Sequence, residues 1–245
     1  MNESEHAARA GLKLSILVPV HNEAATVRDI LGKIISVGLI GGIEKEILVI
    51  NNLSTDLTEK IIENFIETHP EAGIRLLNEN CRKGKGAALQ LGISHSTGDL
   101  IIVQDADLEY DPEDYNLLLR PIMNGEADVV YGSRFGKKTG SFSWHTFGNK
   151  FLTSLSNFFT GLHLTDMETC YKLIPSEYLK KIELLEKRFG FEPEVTAKLS
   201  KIPGIRIREV GISYKRRSYA EGKKIGIRDG FRTLWCILKY NLFSR

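Results

Sequence analysis

The chain has 245 residues, 42% of them hydrophobic and 26% charged, the make-up of an ordinary soluble globular protein long enough to bury a full core. No apolar run approaches the ~18 residues a membrane-spanning helix needs, no signal-peptide core opens the chain, and three scattered cysteines (Cys81, Cys170, Cys236) are too few for a disulfide framework or a zinc site. The net charge of +2 conceals an asymmetry: Lys201 to Arg245 holds 12 basic against 3 acidic residues and the preceding 200 residues hold 21 against 28, so a basic tail on an acidic body points to a polyanionic partner or an anionic membrane surface.

Residues 1–11 read as a disordered leader. Leu14 to Val20 follows as a strand, and Asn22-Glu23-Ala24-Ala25-Thr26 opens a helix that runs to about Val37. Glu46 to Ile50 is the next strand, with Ser54-Thr55-Asp56 capping a helix from Leu57 to Thr68. A short strand at Ile74–Leu77, a helix from Gly86 to Ser96 and a strand at Leu100–Val103 continue the alternation. Such β/α alternation with short connections predicts a doubly wound, mostly parallel sheet covered by helices on both faces, over residues 12–135. The second half, 136–228, is less regular. Asp128–Tyr131 reads as a strand, Phe147–Leu162 as a helix with phenylalanines and leucines near helical spacing, and Gly204–Ser213 as an alternating strand that changes phase near Gly211. A last amphipathic helix, Phe231–Phe243 within residues 229–245, sets Trp235 and Tyr240 among Arg232, Lys239 and Arg245. That mixture of aromatic and basic residues suits a helix lying in a membrane interface; packing on the sheet or a homodimer contact is the alternative.

The chemistry gathers where strands end. Gln104-Asp105-Ala106-Asp107-Leu108-Glu109 directly follows the buried-type run Leu100–Val103, so three carboxylates enter a loop at the carboxyl edge of a sheet, the edge where open α/β folds bind ligands. Two carboxylates one residue apart suit a hard divalent cation shared with phosphate oxygens. Pro19-Val20-His21-Asn22-Glu23 and Asn51-Asn52-Leu53-Ser54-Thr55-Asp56 end the neighbouring strands. Between them lies Arg82-Lys83-Gly84-Lys85-Gly86, a basic glycine-rich turn entering a helix N-terminus, where free N–H groups and lysines favour a phosphate. Asp111-Pro112-Glu113-Asp114 looks like a helix start.

Taken in order, Pro-x-x-Asn-Glu, the Ser-Thr-Asp turn, Gly-Lys-Gly, Gln-Asp-Ala-Asp-Leu and Gly132-Ser133-Arg134 resemble family-2 glycosyltransferases of the GT-A fold, above all the dolichyl- and polyprenyl-phosphate hexosyltransferases. The resemblance covers residues 13 to about 228 and implies a GT-A α/β fold with acceptor-side helices toward the C-terminus. It implies an inverting, metal-dependent transfer of a hexose from a nucleotide-sugar (GDP-mannose or UDP-glucose) to a polyprenyl phosphate at the cytoplasmic membrane face. Pro19, His21, Glu23 and Asn52 would line the base and ribose, with Lys85, Asp105 and Ala106 on the donor side. Asp105 and Asp107 would hold Mg²⁺ or Mn²⁺ against the diphosphate, with Glu109 where the family often has a further ligand. Ser133 and Arg134 would approach the acceptor phosphate. Arg217 and Lys223 lie in Arg217-Ser218-Tyr219-Ala220-Glu221-Gly222-Lys223-Lys224-Ile225-Gly226, which looks like the family's loop over donor and acceptor.

Three departures stand out. Asn51-Asn52-Leu53-Ser54 replaces the family's Asp-Asp-Gly-Ser, removing a charged acceptor for base N–H groups while an amide carbonyl still accepts one bond. His21 stands where tyrosine is frequent, and Thr165-Asp166-Met167-Glu168-Thr169-Cys170 replaces Thr-Asp-x-x-Ser-Gly. A lipid phosphate is already ionised and needs only positioning and charge compensation, so catalysis would rest on Asp107, Arg134 and the metal. For a hydroxyl acceptor Asp166 is the candidate general base. Cys170 reads as a packed thiol, with no basic partner nearby in sequence. The expected partners are a nucleotide-sugar, a polyprenyl phosphate and the membrane surface, with no nucleic-acid motif and with a homodimer or a membrane subunit as further options. A soluble hydroxyl-directed glycosyltransferase and a non-catalytic donor-binding subunit are the competing readings.

Overall fold

The computed structural model describes residues 11–81, 83–136, 144–216 and 227–243. Residues 1–10 of the proposed leader, Arg217, Lys223 and Arg245 lie outside them. Seven strands form one sheet: β1 (Lys13–Val20), β2 (Glu44–Asn51), β3 (Ile74–Asn78), β4 (Leu100–Val103), β5 (Val129–Ser133), β6 (Lys172–Pro175) and β7 (Ile207–Gly211). Their order is β3-β2-β1-β4-β6-β5-β7. All pairings are parallel except those of β6, which runs antiparallel to both β4 and β5. Ile16 pairs with Ile47 on one side and Ile102 on the other, so the three strands that end in polar motifs lie side by side with their carboxyl ends together.

Consecutive residues of β1, β2 and β4 are buried, as Leu100–Val103 shows with 0–6% exposure, and this requires cover on both faces of the sheet. The cover comes from α1 (Val27–Ser36), α2 (Thr58–Thr68), α3 (Lys85–His95), α4 (Tyr115–Met123), α5 (Trp144–Thr160), α6 (Ser176–Lys181), α7 (Phe191–Leu199) and α8 (Ile227–Leu238). Apolar residues at helical spacing, Val27, Ile30, Leu31 and Ile34, bury one face of α1. Asp111 caps a short 3-10 turn, Pro112–Asp114, before α4, so the helix-start signature holds with one tight turn in front.

Strand β6 and helices α6 and α7 carry no expectation from sequence. β6 is only four residues and opens on the buried Lys172, which interrupts the hydrophobic pattern. The last strand, Ile207–Gly211, is shorter than Gly204–Ser213 at both ends, and it stops at Gly211, which lies against Gly136 too closely for a side chain. The final helix begins at Ile227 and gives way at Leu238 to a π-helical turn, Lys239–Phe243.

The expected interfacial surface of that helix is corrected at Tyr240, Arg232 and Lys239. Trp235 and Phe231 are exposed, but Tyr240 is fully buried. Arg232 and Lys239 turn inward to the buried Glu186 carboxylate, at 2.6 and 3.2 Å, because that carboxylate would otherwise be left without a counter-charge. Together with Phe147, Phe151 and Phe158 of α5, Phe231 and Trp235 leave an exposed aromatic face on two helices that pack against each other. No helix among the described residues is long and apolar enough to cross a membrane.

Candidate active site

Each of the three adjacent strand ends is soon followed by a non-glycine residue in the left-handed region: Asn22 (φ 55°), Leu53 (φ 51°) and Leu108 (φ 62°). Asparagine tolerates this conformation, whereas it costs a leucine about 1–2 kcal/mol. Leu53 also stands where the resemblance expects glycine. Strain of this kind concentrates where loops are shaped for a ligand.

The first two loops brace each other. Thr55 N donates to Asn22 Oδ1 at 2.8 Å, Glu23 N to Thr58 Oγ1 at 2.9 Å, and Asn22 N to Ser54 Oγ at 3.1 Å. His21 Nδ1 lies 2.8 Å from the Asn52 carbonyl, Pro19 is half-buried in β1, and the Glu23 carboxylate accepts from Thr26 Oγ1 at 3.2 Å. The two asparagines divide their tasks. Asn51 is spent on structure, its amide donating to Asn78 Oδ1 and its carbonyl accepting from Ser54 N. Asn52 Oδ1 is buried without a partner among the described residues, an orphan acceptor costing about 1–3 kcal/mol until an N–H donor meets it.

At the end of β4, Gln104 is fully buried and accepts from the Tyr115 and Tyr171 hydroxyls while donating to the Asp105 carbonyl, which fixes where the acidic turn leaves the sheet. Asp107 Oδ1 caps the Glu109 amide at 3.1 Å, and Ala106 between the two aspartates is buried. The glycine-rich turn brings Lys85 onto Asp105, with Nζ 2.9 Å from Oδ1. Glycine is required on both sides of Lys85. Gly84 has φ 109° and a Cβ there would sit 2.7 Å from the Lys187 carbonyl, while a Cβ on Gly86 would overlap the Glu186 carbonyl. Lys85 Nζ also lies 3.4 Å from Glu192 Oε1 and 3.3 Å from Cys170 Sγ. Burial alone would lower this amine; the Asp105 and Glu192 carboxylates outweigh it and hold Lys85 well above its ordinary pKa. Cys170 therefore does have a basic neighbour, distant in sequence, yet burial and Asp105 push its thiol well up, so it stays a protonated packing residue.

The acceptor-side residues form a second cluster joined to the first through Cys170, whose amide donates to the Tyr110 hydroxyl at 3.1 Å. Arg134 Nε and Nη2 donate to the two oxygens of the fully buried Asp166 at 2.6 and 2.7 Å, and the Arg134 amide adds a third bond to the same carboxylate. The Tyr214 ring lies 5.3 Å from the guanidinium carbon. Burial would lower the Arg134 pKa; Tyr110 and Asp166 outweigh it, so the guanidinium is firmly charged. Ser133 Oγ shares a 2.6 Å hydrogen bond with Thr165 Oγ1, and Glu209 accepts from the Thr165 and Asp166 amides. Lys172 Nζ donates to the Met167 and Thr169 carbonyls, stapling this loop to β6.

Lys85 and Asp105, and likewise Ser133, Arg134 and Asp166, are thus brought together. The Glu109 carboxylate accepts from the Tyr214 hydroxyl at 2.8 Å. Among the described residues no three of His, Cys, Asp and Glu converge as a ready-made metal cage. A divalent cation nonetheless fits the residues present: an aspartate at the sheet edge already accepts a cationic group, a second lies two positions on, and Mg²⁺ characteristically takes one or two carboxylates with the rest from substrate phosphates and water. Glu192, Glu209 and Tyr214, which carry no expectation from sequence, contact the candidate residues Lys85, Asp166, Glu109 and Arg134. Glu192 opens a helix as acidic residues commonly do, and Tyr214 and Glu209 sit near a strand whose alternation explains them as ordinary sheet residues, so only the folded chain distinguishes them.

Residues 15–183 match the family model described as Glycosyl transferase family 2, and the chain belongs to that family. It is 26% identical over 239 residues to a dodecaprenyl-phosphate galacturonate synthase of Rhizobium johnstonii, spanning 96% of this chain and 68% of that protein. It is 27% identical over 253 residues to a dolichyl-phosphate beta-glucosyltransferase of Trichomonas vaginalis, with 96% and 75% covered. A dolichol-phosphate mannosyltransferase of Pyrococcus furiosus is 31% identical over 126 residues, 51% of this chain and 34% of that one. Among solved structures, glucosyl-3-phosphoglycerate synthase from Mycobacterium tuberculosis in complex with Mn²⁺, UDP and phosphoglyceric acid has a TM-score of 0.72 at 20% identity, covering 97% of this chain and 81% of that one. The GT-A fold is thereby established, and with the family, glycosyl transfer.

Proposed function

We propose that this protein is an inverting, metal-dependent hexosyltransferase that moves a sugar from a nucleotide-sugar to a polyprenyl phosphate while attached peripherally to the cytoplasmic face of a membrane. The observation that carries the reading is the Arg134–Asp166 pair. Both oxygens of Asp166 are engaged by one guanidinium, so the carboxylate that a hydroxyl acceptor would call on as general base is committed to holding a cation. A cation held this firmly beside the crevice suits an acceptor that arrives already ionised. The polyprenyl-phosphate substrates in the names of the relatives from Rhizobium johnstonii and Trichomonas vaginalis support the same class.

In this reading Asn52 Oδ1 takes a base N–H, with His21, Pro19 and Glu23 around base and ribose. Asp105 and Asp107 hold Mg²⁺ or Mn²⁺, which supplies charge stabilisation to the departing diphosphate. Lys85 adds positive charge beside Asp105. Arg134, with Ser133 and with Arg217 and Lys223 from outside the described residues, orients the acceptor phosphate for direct displacement at the anomeric carbon, so an α-linked donor gives a β-linked product. A polyprenyl tail requires the enzyme to reach a bilayer, and the aromatic face of α5 and α8 offers the contact.

Asp107→Asn tests the metal reading. Asparagine keeps the oxygen that caps the Glu109 amide, so the fold is retained while the charge is lost. Transfer should fall to background, and chelation of the wild-type protein should do the same reversibly. Full turnover of either in excess EDTA contradicts the reading.

A further inference from the structure

We propose that Glu192 is a positioning residue that takes over Lys85 when a divalent cation claims Asp105; the inference rests on the metal reading above. Lys85 lies between two carboxylates, 2.9 Å from Asp105 Oδ1 and 3.4 Å from Glu192 Oε1, with only 18% of its side chain exposed and 9% of that of Glu192. A cation on Asp105 repels an ammonium that shares the same carboxylate. The ammonium cannot simply be left unpaired in so enclosed a place, because an uncompensated buried charge is strongly unfavourable. Glu192 supplies the second counter-charge within reach, so the lysine needs only a small side-chain movement to vacate Asp105 without leaving ion-pair distance of an acid.

The geometry is built rather than incidental. Glu192 sits in the first turn of α7, and the approach to that helix is fixed by the Glu194 carboxylate, which accepts from the Leu185 and Glu186 amides at 2.8 Å each. The same segment docks on the glycine-rich turn through Ala87 N to the Lys187 carbonyl at 3.1 Å and Gln90 Nε2 to the Glu186 carbonyl at 3.1 Å. Gly84 and Gly86 permit this close approach, so the spacing between α7 and Lys85 is set by backbone contact. Glu192 also feels the charges of the buried Lys172 and Glu168, and Lys172 Nζ donates to the Met167 and Thr169 carbonyls. Among the described residues Lys85 is the cation that lies within ion-pair distance of Glu192.

The test measures Mn²⁺ affinity by electron paramagnetic resonance of the free ion, with saturating UDP in one series and GDP in another. Glu192→Gln should raise the Mn²⁺ Kd at least tenfold, because Lys85 then has only Asp105 to pair with and competes with the metal. Lys85→Met should bind Mn²⁺ at least as tightly as wild type even though transfer is lost. In the Lys85→Met background, Glu192→Gln should change the Kd by less than threefold. Should Glu192→Gln fail to fold, Glu192→Asp, which keeps the charge but retracts it by one methylene, should show a several-fold loss that Lys85→Met again erases. An unchanged Kd in Glu192→Gln overturns the proposal. So does an equal loss with and without Lys85, which would mark Glu192 as a direct attractor of the metal or a purely structural residue. Wild-type protein that binds no Mn²⁺ with either nucleotide overturns the metal reading and this proposal together.

Discussion

Arg134 shows how one side chain joins structure to chemistry. Its bidentate pair with Asp166 keeps a fully buried carboxylate compensated, so Arg134→Ala removes a substrate contact and strands a charge at once. Arg134→Lys separates the two effects, since it keeps the charge and loses the planar fork. A charge-assisted contact is worth about 1.5–3 kcal/mol, so Arg134→Lys should lower kcat/KM for the phosphate acceptor at least tenfold while nucleotide binding, followed by calorimetry, is unchanged. Normal use of polyprenyl phosphate by this variant would shift the assignment to a hydroxyl acceptor. Asn52 is the counterpart on the donor side. Its orphaned carbonyl oxygen is the physical consequence of losing the family's aspartate: the acceptor remains in place, without its charge.

Among the elements, α8 depends on one carboxylate. Glu186 accepts from Arg232 and Lys239 and from the Tyr240 hydroxyl at 2.8 Å, fastening the last helix and the following turn to the segment before α7. Burial would raise its pKa, but the bonds from Arg232, Tyr240 and Lys239 outweigh it and hold the carboxyl below the ordinary value. Its stabilisation is therefore fully present above the unfolded value of about 4.3 and is lost as pH falls through the lower folded value. Glu186→Gln should cost about 1–3 kcal/mol at pH 7, toward the lower end because Arg232 is half exposed. In urea unfolding from pH 7 to pH 3 the gap between wild type and variant should close toward the acid end; a gap independent of pH would refute the role of the ionised carboxylate. Nothing in the sequence pairs Glu186 with Arg232 and Lys239, so the final helix reads there as evenly amphipathic and basic, whereas in the fold Arg232 and Lys239 reach inward to that carboxylate. The same limit explains β6, where a buried lysine at the strand start breaks the apolar signal. By contrast, β1, β2 and β4 are legible because buried parallel strands are continuous apolar runs, and their polar ends mark the crevice directly. Lys85 and Asp105 are legible as site residues for that reason; Glu192 becomes one only when α7 is folded against the glycine-rich turn.

At the scale of the whole molecule, the parallel half of the sheet presents donor-side loops along one edge, and the antiparallel β6 carries the loop holding Asp166 and Cys170 to the same place. The two exposed aromatic helices then offer a route to a lipid acceptor. Phe158 is 80% exposed, Phe231 70% and Trp235 56%, and burying each such side chain is worth roughly 1.5–3 kcal/mol. The protein should therefore sediment with anionic vesicles. Because Arg232 and Lys239 are engaged internally, replacing Phe158, Phe231 and Trp235 by serine should release it more completely than raised salt does. Failure of the intact protein to bind vesicles at low salt would exclude unaided attachment and call for a membrane partner or a soluble acceptor. The most direct measurement of the central claim is transfer itself: radiolabelled nucleotide-sugars, UDP-glucose and GDP-mannose among them, offered with Mn²⁺ or Mg²⁺ to polyprenyl phosphate and, in parallel, to saccharide and phosphoglycerate hydroxyls. The account predicts metal-dependent label in the lipid fraction as a β-linked sugar phosphate; label in the hydroxyl acceptors alone would contradict it.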